Sequence, residues 1–375
     1  MAIDTGQASY LGDTRGYRYV ILQEYMYAHV AAIKAANPNT KVLAYMEAPV
    51  TKVQTCGSSP SAYLPHDSFG MYYCYANAYH PEWFLHNTSG QRLTYTDYPT
   101  YSAMDIGNQA YQNTWAKNVI AAVKADGFDG VYMDDVNTYP GHGINGKIAE
   151  YSDQAYGQAM AGFVRAVAPQ IRASGLLAAA NVAANPWTTW QRSYGLDIAG
   201  QLNIYNREHY SRYGDICGPF SNRFNTTANS GTPPLVELLN YDQAVQSTGA
   251  HLTGIDYGYT PPTSSDLATM SYGRAAFLLA WDGRDGGAYI YRPCGKVDPA
   301  NPLWMIDVGA PTTAAVLSGP VFSRTFTKGL VYLNPSPDTA VTVSVPAGYV
   351  DANGASVSGT KTLAPATALV LRSGS

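Results

Sequence analysis

Charge is what this chain has least of. Asp, Glu, Lys and Arg make up 13% of its 375 residues, roughly half the share of an average soluble domain. The 23 basic and 27 acidic residues leave a net charge of -4 with no run of either sign. That excludes the basic stripe a nucleic-acid partner requires and the polybasic patch of a membrane-surface protein. Long apolar runs are missing as well. The longest candidate, around Leu176 to Ala184, is interrupted by Asn181 and falls well short of the roughly 18 residues of a membrane span. Met1 to Gly6 has neither a basic nor an apolar leader segment, so a signal peptide, if the protein is exported, is expected to have been removed. There is no GxSxG, no P-loop and no HExxH, so serine-hydrolase, NTPase and zincin chemistry lack an anchor, and no cofactor or metal is expected.

Cysteine is scarce but even in number: Cys56, Cys74, Cys217 and Cys294. Outside any CxxC motif such a set favours disulfides, and the expected pairs are Cys56 with Cys74 and Cys217 with Cys294. A zinc site built from these cysteines with His66, His80 and His86 would match no compact ligand spacing. Low charge, disulfides and 31 tyrosines point to a secreted protein.

What the chain does have is a succession of strand-length apolar runs, each followed by a helix-period segment or a polar loop. The runs fall at 17–23, 41–47, 101–106, 130–134, 176–181, 198–204, 235–239 and 252–256. Eight such units predict a (β/α)8 TIM barrel over residues 1–309, with long inserted loops near 51–100 and 205–232. After Ala310 the pattern changes to short β-branched runs between Pro, Gly and Ser turns, which predicts a small C-terminal all-β sandwich domain over 310–375. About 65 residues are marginal for independent folding, so this domain is expected to dock on the barrel and share its core.

Strand C-termini of a barrel line one mouth. Glu24, Glu47, Asp105, Asp134, Asp135, Asn181, Glu237 and Asp256 stand at or beside predicted strand ends, and Glu208 lies just beyond the sixth. Carboxylates so concentrated in a weakly charged chain point to an acidic active site. Two of them facing each other across a sugar are the minimal equipment for glycoside hydrolysis: one protonates the leaving oxygen, the other attacks the anomeric carbon or activates water. Tyr72, Tyr73, Tyr75, Tyr79, Trp83, Tyr95, Tyr98 and Tyr101 crowd the first insertion, and flat rings with a polar tip suit sugar faces. Tyr73 and Trp83 are the candidates for sugar contact, against the plainer reading that these rings pack a long loop onto the barrel. The stretch Gly141 to Gly146 fits GxGxxG, but it lies seven residues beyond Asp134 instead of at a strand end, so it reads as a loop whose His142 reaches the cleft.

The sharpest segment is Gly127-Phe-Asp-Gly-Val-Tyr-Met-Asp-Asp-Val136. Strand alternation would aim Asp134 and Asp135 in opposite directions and leave only one in the mouth. With His80-Pro-Glu-Trp-Phe-Leu-His-Asn87, Gly90, Met104-Asp-Ile-Gly-Asn108 and Gly329-Leu-Val-Tyr-Leu-Asn-Pro335, it resembles glycosyl hydrolase-like family 15. That family groups barrels related to polygalactosaminidase-type and α-galactosidase-type enzymes. The resemblance implies a nucleophile at Asp134 and an acid/base on the strand-six side, best matched by Glu208 with Glu237 as rival. It also implies an α-linked substrate and retention. Glu47, Asp105, Asp135, Asn181, His142 and Asp256 would then hold the sugar. The resulting expectation is a secreted glycoside hydrolase acting on a carbohydrate; the alternative is a barrel that binds carbohydrate without cleaving it.

Overall fold

A computed structural model of the chain describes residues 2–4, 14–140, 143–214, 220–223, 235–258, 264–293, 302–317 and 319–374. Eight parallel strands in chain order form one sheet: β1 (Ala2–Asp4), β2 (Tyr19–Gln23), β3 (Lys41–Glu47), β4 (Gly130–Asn137), β5 (Leu177–Ala183), β6 (Ile204–Glu208), β7 (His251–Gly258) and β8 (Ala288–Pro293). Their centres are apolar on both faces, as Val20 to Leu22, Val42 to Ala44 and Ala178 to Ala180 show, because helices cover the outside while side chains fill the inside. The helix Asp153–Ala173 is typical. Ser152 caps it by accepting from the Ala155 N–H at 3.3 Å, and it buries Tyr156, Met160, Phe163, Val164, Val167 and Ile171 along one stripe. An ion pair of 3.0 Å between Arg18, before β2, and Asp285, before β8, brings the two sides of the curled sheet together. The chain folds as a (β/α)8 barrel.

The expected count of eight strands holds, but not every expected strand is one of them. Tyr101–Ala103 leaves the barrel and pairs antiparallel with Val50–Lys52, while β3 pairs directly with β4. Residue 198 belongs to the helix Thr189–Gln201, and the sixth strand begins at Ile204. The run at 235–239 opens the helix Leu235–Ser247. Its buried Leu235, Leu238, Leu239, Asp242, Val245 and Gln246 have the helical period, which a five-residue window cannot distinguish from a buried strand. The places are taken by Ala2–Asp4 and Ala288–Pro293, both too short or too interrupted to register as apolar runs.

The excursion between β3 and β4 is ordered around the helix Tyr73–Tyr79 and the disulfide Cys56–Cys74. The first expected cysteine pair is therefore present; Cys217 and Cys294 lie outside the described residues. Past residue 310 a single five-stranded antiparallel sheet follows, β9 (Phe322–Phe326), β10 (Gly329–Asn334), β11 (Val341–Val350), β12 (Ser356–Leu363) and β13 (Thr367–Ser373), in the order β9-β10-β13-β11-β12. The second layer of the expected sandwich is supplied by the barrel helix Ser264–Ala280, against which β10 and β13 pack. Phe322, Phe326, Val331, Leu333 and Val370 accordingly join the barrel's own core. Arg324 of β9 also donates to the carbonyls of Leu278 and Leu279, at 3.1 Å each, and to that of Trp281, closing the C-terminal end of that helix.

Candidate active site

In a parallel sheet, residues in register on adjacent strands face the same side. Glu47 is in register with Asp134, Tyr45 with Tyr132, Asn181 with Asn206, and Asn206 with Thr253. Residues two apart on one strand also share a face, so Tyr45 with Glu47, Tyr132 with Asp134, and Asn206 with Glu208 all turn into the barrel near its C-terminal end. Their polar atoms form one network. Thr253 Oγ1 donates to Asn206 Oδ1 at 2.8 Å. Asn206 Nδ2 donates to the Tyr132 hydroxyl at 2.9 Å and to Asn181 Oδ1 at 3.2 Å. That contact fixes the Asn181 amide, whose Nδ2 donates to Asp134 Oδ1 at 2.9 Å and to Glu208 Oε2 at 2.8 Å. Both oxygens are held on one nitrogen, so they stand no farther apart than those two bonds laid end to end, below about 6 Å. The Tyr45 hydroxyl contacts Glu47 Oε1 at 2.8 Å and also Asp134 Oδ2.

Asp134 and Asp135 do not alternate. Met133 pairs with Ala180 and Val136 with Val182, so both aspartates stand opposite the single residue Asn181. This is a β-bulge, and Asp135 takes the left-handed backbone conformation it requires, φ 54°. The Asp135 N–H then donates to Asp134 Oδ1 at 2.9 Å. The Asp135 carboxylate is turned back to accept from Asn137 Nδ2 at 3.3 Å, and its charge acts on Tyr95 and Glu47. The strict alternation expected of Asp134 and Asp135 is broken by this extra residue.

Burial sets the electrostatics. It pushes the Glu47 carboxyl well above its usual range, assisted by the charges of Asp135 and Asp134. It raises Asp134, with Glu208 adding to the effect, and holds Asp135 up to about 8, with Asp134 the second cause. Among the four carboxyl groups of the site, burial and mutual repulsion thus favour the protonated form of Glu47. Asp134 by contrast is surrounded by donors: Asn181 Nδ2, the Asp135 N–H and the Tyr45 hydroxyl all oppose its protonation.

A mouth of facing carboxylates on a (β/α)8 barrel is the arrangement of a glycosidase, and the model of hypothetical glycosyl hydrolase family 15 matches residues 34–330. The chain belongs to that family. It is a glycoside hydrolase. No curated protein matches the sequence. Among solved structures, Amy13B of Eubacterium rectale is similar at 11% identity and a TM-score of 0.54, with 100% of this chain and 94% of that one covered. The trehalose-6-phosphate hydrolase TreA of Bacillus licheniformis is similar at 9% identity and a TM-score of 0.52, covering 99% and 97%. The maltogenic α-amylase AmyB of Thermotoga neapolitana follows at 10% identity and 0.50, covering 96% and 91%. At these identities the likeness is one of fold: a barrel with a C-terminal all-β domain.

In this family member the other sequence-expected site residues lie elsewhere. Glu237 is on the first turn of the helix Leu235–Ser247, beside Pro186, Trp187, Arg192 and Asn240, not in the mouth with Asp134. Asp256 faces outward from β7: its carboxylate accepts from the Ser211 N–H at 2.9 Å, the Ser211 hydroxyl at 2.5 Å and the Tyr289 hydroxyl at 2.9 Å, and lies against Gly273 of the covering helix. Asp105 is engaged by the Tyr151 hydroxyl at 2.5 Å and the Gly107 N–H at 3.0 Å, in the turn before the Asn108-capped helix Gln109–Ala125. Trp83 is buried and stacked on His80 at 3.8 Å, and Tyr73 packs edge-on against Phe84, so both pack the excursion onto the barrel. His142 lies outside the described residues. The rings near the mouth are Tyr95, Tyr98 and Tyr101, all of which feel the charges of Glu47 and Asp135. Tyr45, Tyr132, Asn206 and Thr253 went unnoticed in the sequence, although the two-residue spacing Tyr-x-Glu, Tyr-x-Asp and Asn-x-Glu was there to find three of them.

Proposed function

We propose that the enzyme hydrolyses an α-linked polysaccharide or oligosaccharide with retention of configuration, with Asp134 as nucleophile and Glu208 as acid/base. The observation that carries this reading is the Asn181 amide bridging the two carboxylates. Oxygens held on one nitrogen, less than about 6 Å apart, suit a retaining pair, whereas an inverting pair needs about 6.5–9.5 Å to admit water. Glu208 protonates the departing glycosidic oxygen as Asp134 attacks the anomeric carbon. The resulting ester is cleaved when Glu208 takes a proton from an incoming water. Three donors aimed at Asp134 favour the anion that attack requires, against the burial that raises its carboxyl. Asn181, Glu47 and Asp135 are placed to contact sugar hydroxyls. The exposed Tyr98 ring, stacked on Tyr101 at 5.1 Å, offers a platform for a further sugar. The α linkage rests on the likeness to α-galactosidase-type barrels, and secretion on low charge and the Cys56–Cys74 disulfide.

A panel of bacterial, fungal and plant glycans, read by released reducing ends and by proton NMR of the first anomer formed, tests the proposal. Activity with an α product first, reduced about 10³-fold or more in Asp134→Asn and in Glu208→Gln, is the expected outcome. A β product formed first, or an active Asp134→Asn enzyme, would overturn the assignment.

A further inference from the structure

Outside the mouth, three titratable side chains from distant parts of the chain converge. Glu24 follows β2, His66 belongs to the excursion after β3, and Asp126 ends the helix Gln109–Ala125. His66 Nδ1 lies 3.4 Å from Glu24 Oε1 and 3.4 Å from Asp126 Oδ2, and one donor atom from each residue lies within 4.8 Å of the others. These separations are longer than a good N–H···O bond, and one Nδ1–H cannot serve two oxygens well. Glu24 is 1% exposed at its side chain. Its Oε1 accepts from the Tyr63 hydroxyl at 2.8 Å, but its Oε2 is buried with no hydrogen-bond donor. Two acids packed together, one of them buried with an oxygen that no donor answers, form a place where a cation can compensate both.

We propose that Glu24, His66 and Asp126 bind a divalent cation of the zinc class, separately from the catalytic mouth. The edge of a tetrahedron is about 1.6 times its bond length, so zinc bonds of about 2.0–2.2 Å put neighbouring ligand atoms roughly 3.3–3.6 Å apart. The two 3.4 Å separations fall in that range. An imidazole ligand selects against calcium and magnesium, which take oxygen. Tyr27 stacks on the His66 ring at 4.1 Å and fixes its plane. His66, 39% exposed at its side chain, leaves a path for entry and a fourth position for water.

The ion would act as a pin. Ser68 Oγ accepts from the Glu24 N–H at 3.0 Å, and the Ser68 carbonyl accepts from the Glu47 N–H at 2.9 Å. The segment from Tyr63 to Ser68 thus lies between the ends of β2 and β3, directly behind Glu47. A cation on His66 fastens that segment to the barrel from one side, as Cys56–Cys74 fastens the excursion from the other. The three ligands come from positions too far apart in the chain for spacing to have marked them.

Tag-free protein, stripped by chelator and dialysed, is titrated with zinc chloride by calorimetry, and its melting temperature is followed with zinc and, separately, with calcium. One equivalent of zinc and a rise in melting temperature are expected for the wild type, with binding more than tenfold weaker in both His66→Asn and Asp126→Asn. Asn tolerates the left-handed backbone at position 66, φ 63°, so the variant keeps the loop conformation. A folded wild type with no saturable zinc binding, variants that bind zinc as tightly as the wild type, or stabilisation by calcium in place of zinc would overturn the proposal.

Discussion

Asp135 sits where burial and the charge of Asp134 hold its carboxyl up to about 8 against an ordinary 3.8. In the unfolded chain it ionises near its ordinary value, so between about pH 4 and pH 8 the folded state keeps a proton that the unfolded state has released. The stability this group contributes is complete below about pH 4 and is lost as pH rises through about 8. Asp135→Asn is therefore expected to raise the melting temperature more at pH 8 than at pH 4.5; equal shifts at the two pH values would refute the assignment. Burial raises the Glu47 carboxyl as well, with the charges of Asp135 and Asp134 adding to the effect. Glu47→Gln keeps the size and hydrogen-bonding groups of the protonated carboxyl and should retain kcat within about tenfold. Glu47→Ala removes a hydrogen-bond partner of the Tyr45 hydroxyl, and its kcat should fall further. Steady-state kinetics on the glycan identified in the panel separates the two.

At the scale of elements, β6 is held from outside as carefully as from inside. Arg207, one residue before Glu208, points to the helix Leu235–Ser247 and donates to both oxygens of Asp242 at 2.7 and 2.6 Å. Asp256 grips Ser211 just after the strand. Both buried acids therefore secure the strand that carries the proposed acid/base instead of joining it. Asp242→Ala would leave Arg207 buried without its counter-charge and is expected to cost about 3–5 kcal/mol in denaturant melts. Replacing the pair with Arg207→Met and Asp242→Leu together should recover most of that stability, and a single variant as stable as the wild type would show the pair to be idle. Sequence pattern located β2, β3, β4, β5 and β7 because each concentrates apolar residues between turn or polar residues. It failed at Leu235–Leu239, where a buried helix turn has the same composition as a strand, and at Ala288–Pro293, where only four apolar residues precede Arg292 and Pro293.

For the whole molecule, the C-terminal sheet is a second layer packed on the barrel. One face of the helix Ser264–Ala280 is covered by β10 and β13, with β9 at its C-terminal end, and Val308 lies close under Gly329, where a Cβ would stand 2.6 Å from it. A chain ending at residue 309 would expose that apolar face, and it is expected to aggregate or elute as oligomers in size exclusion. A monodisperse, cooperatively melting 1–309 fragment would contradict this. The same dependence explains why about 65 residues form one sheet instead of two: they are too few to supply both layers.

By itself the sequence determined the fold class, the family and the strand-end positions of Glu47, Asp134 and Asn181, because periodicity, turn residues and short motifs are local properties. Only the tertiary structure decided which of the acidic residues converge. Glu208 joins Asp134 because Asn181 on the strand between them holds both. Asp135 reaches the mouth because a bulge inserts one extra residue opposite Asn181. Asp105, Glu237 and Asp256 are equally acidic and equally suggestive in one dimension. Their side chains answer to Tyr151, to a helix surface and to Ser211, partners that come from other elements of the chain. A carboxylate's role is set by the donors and charges around it, and folding, not sequence order, assembles those neighbours.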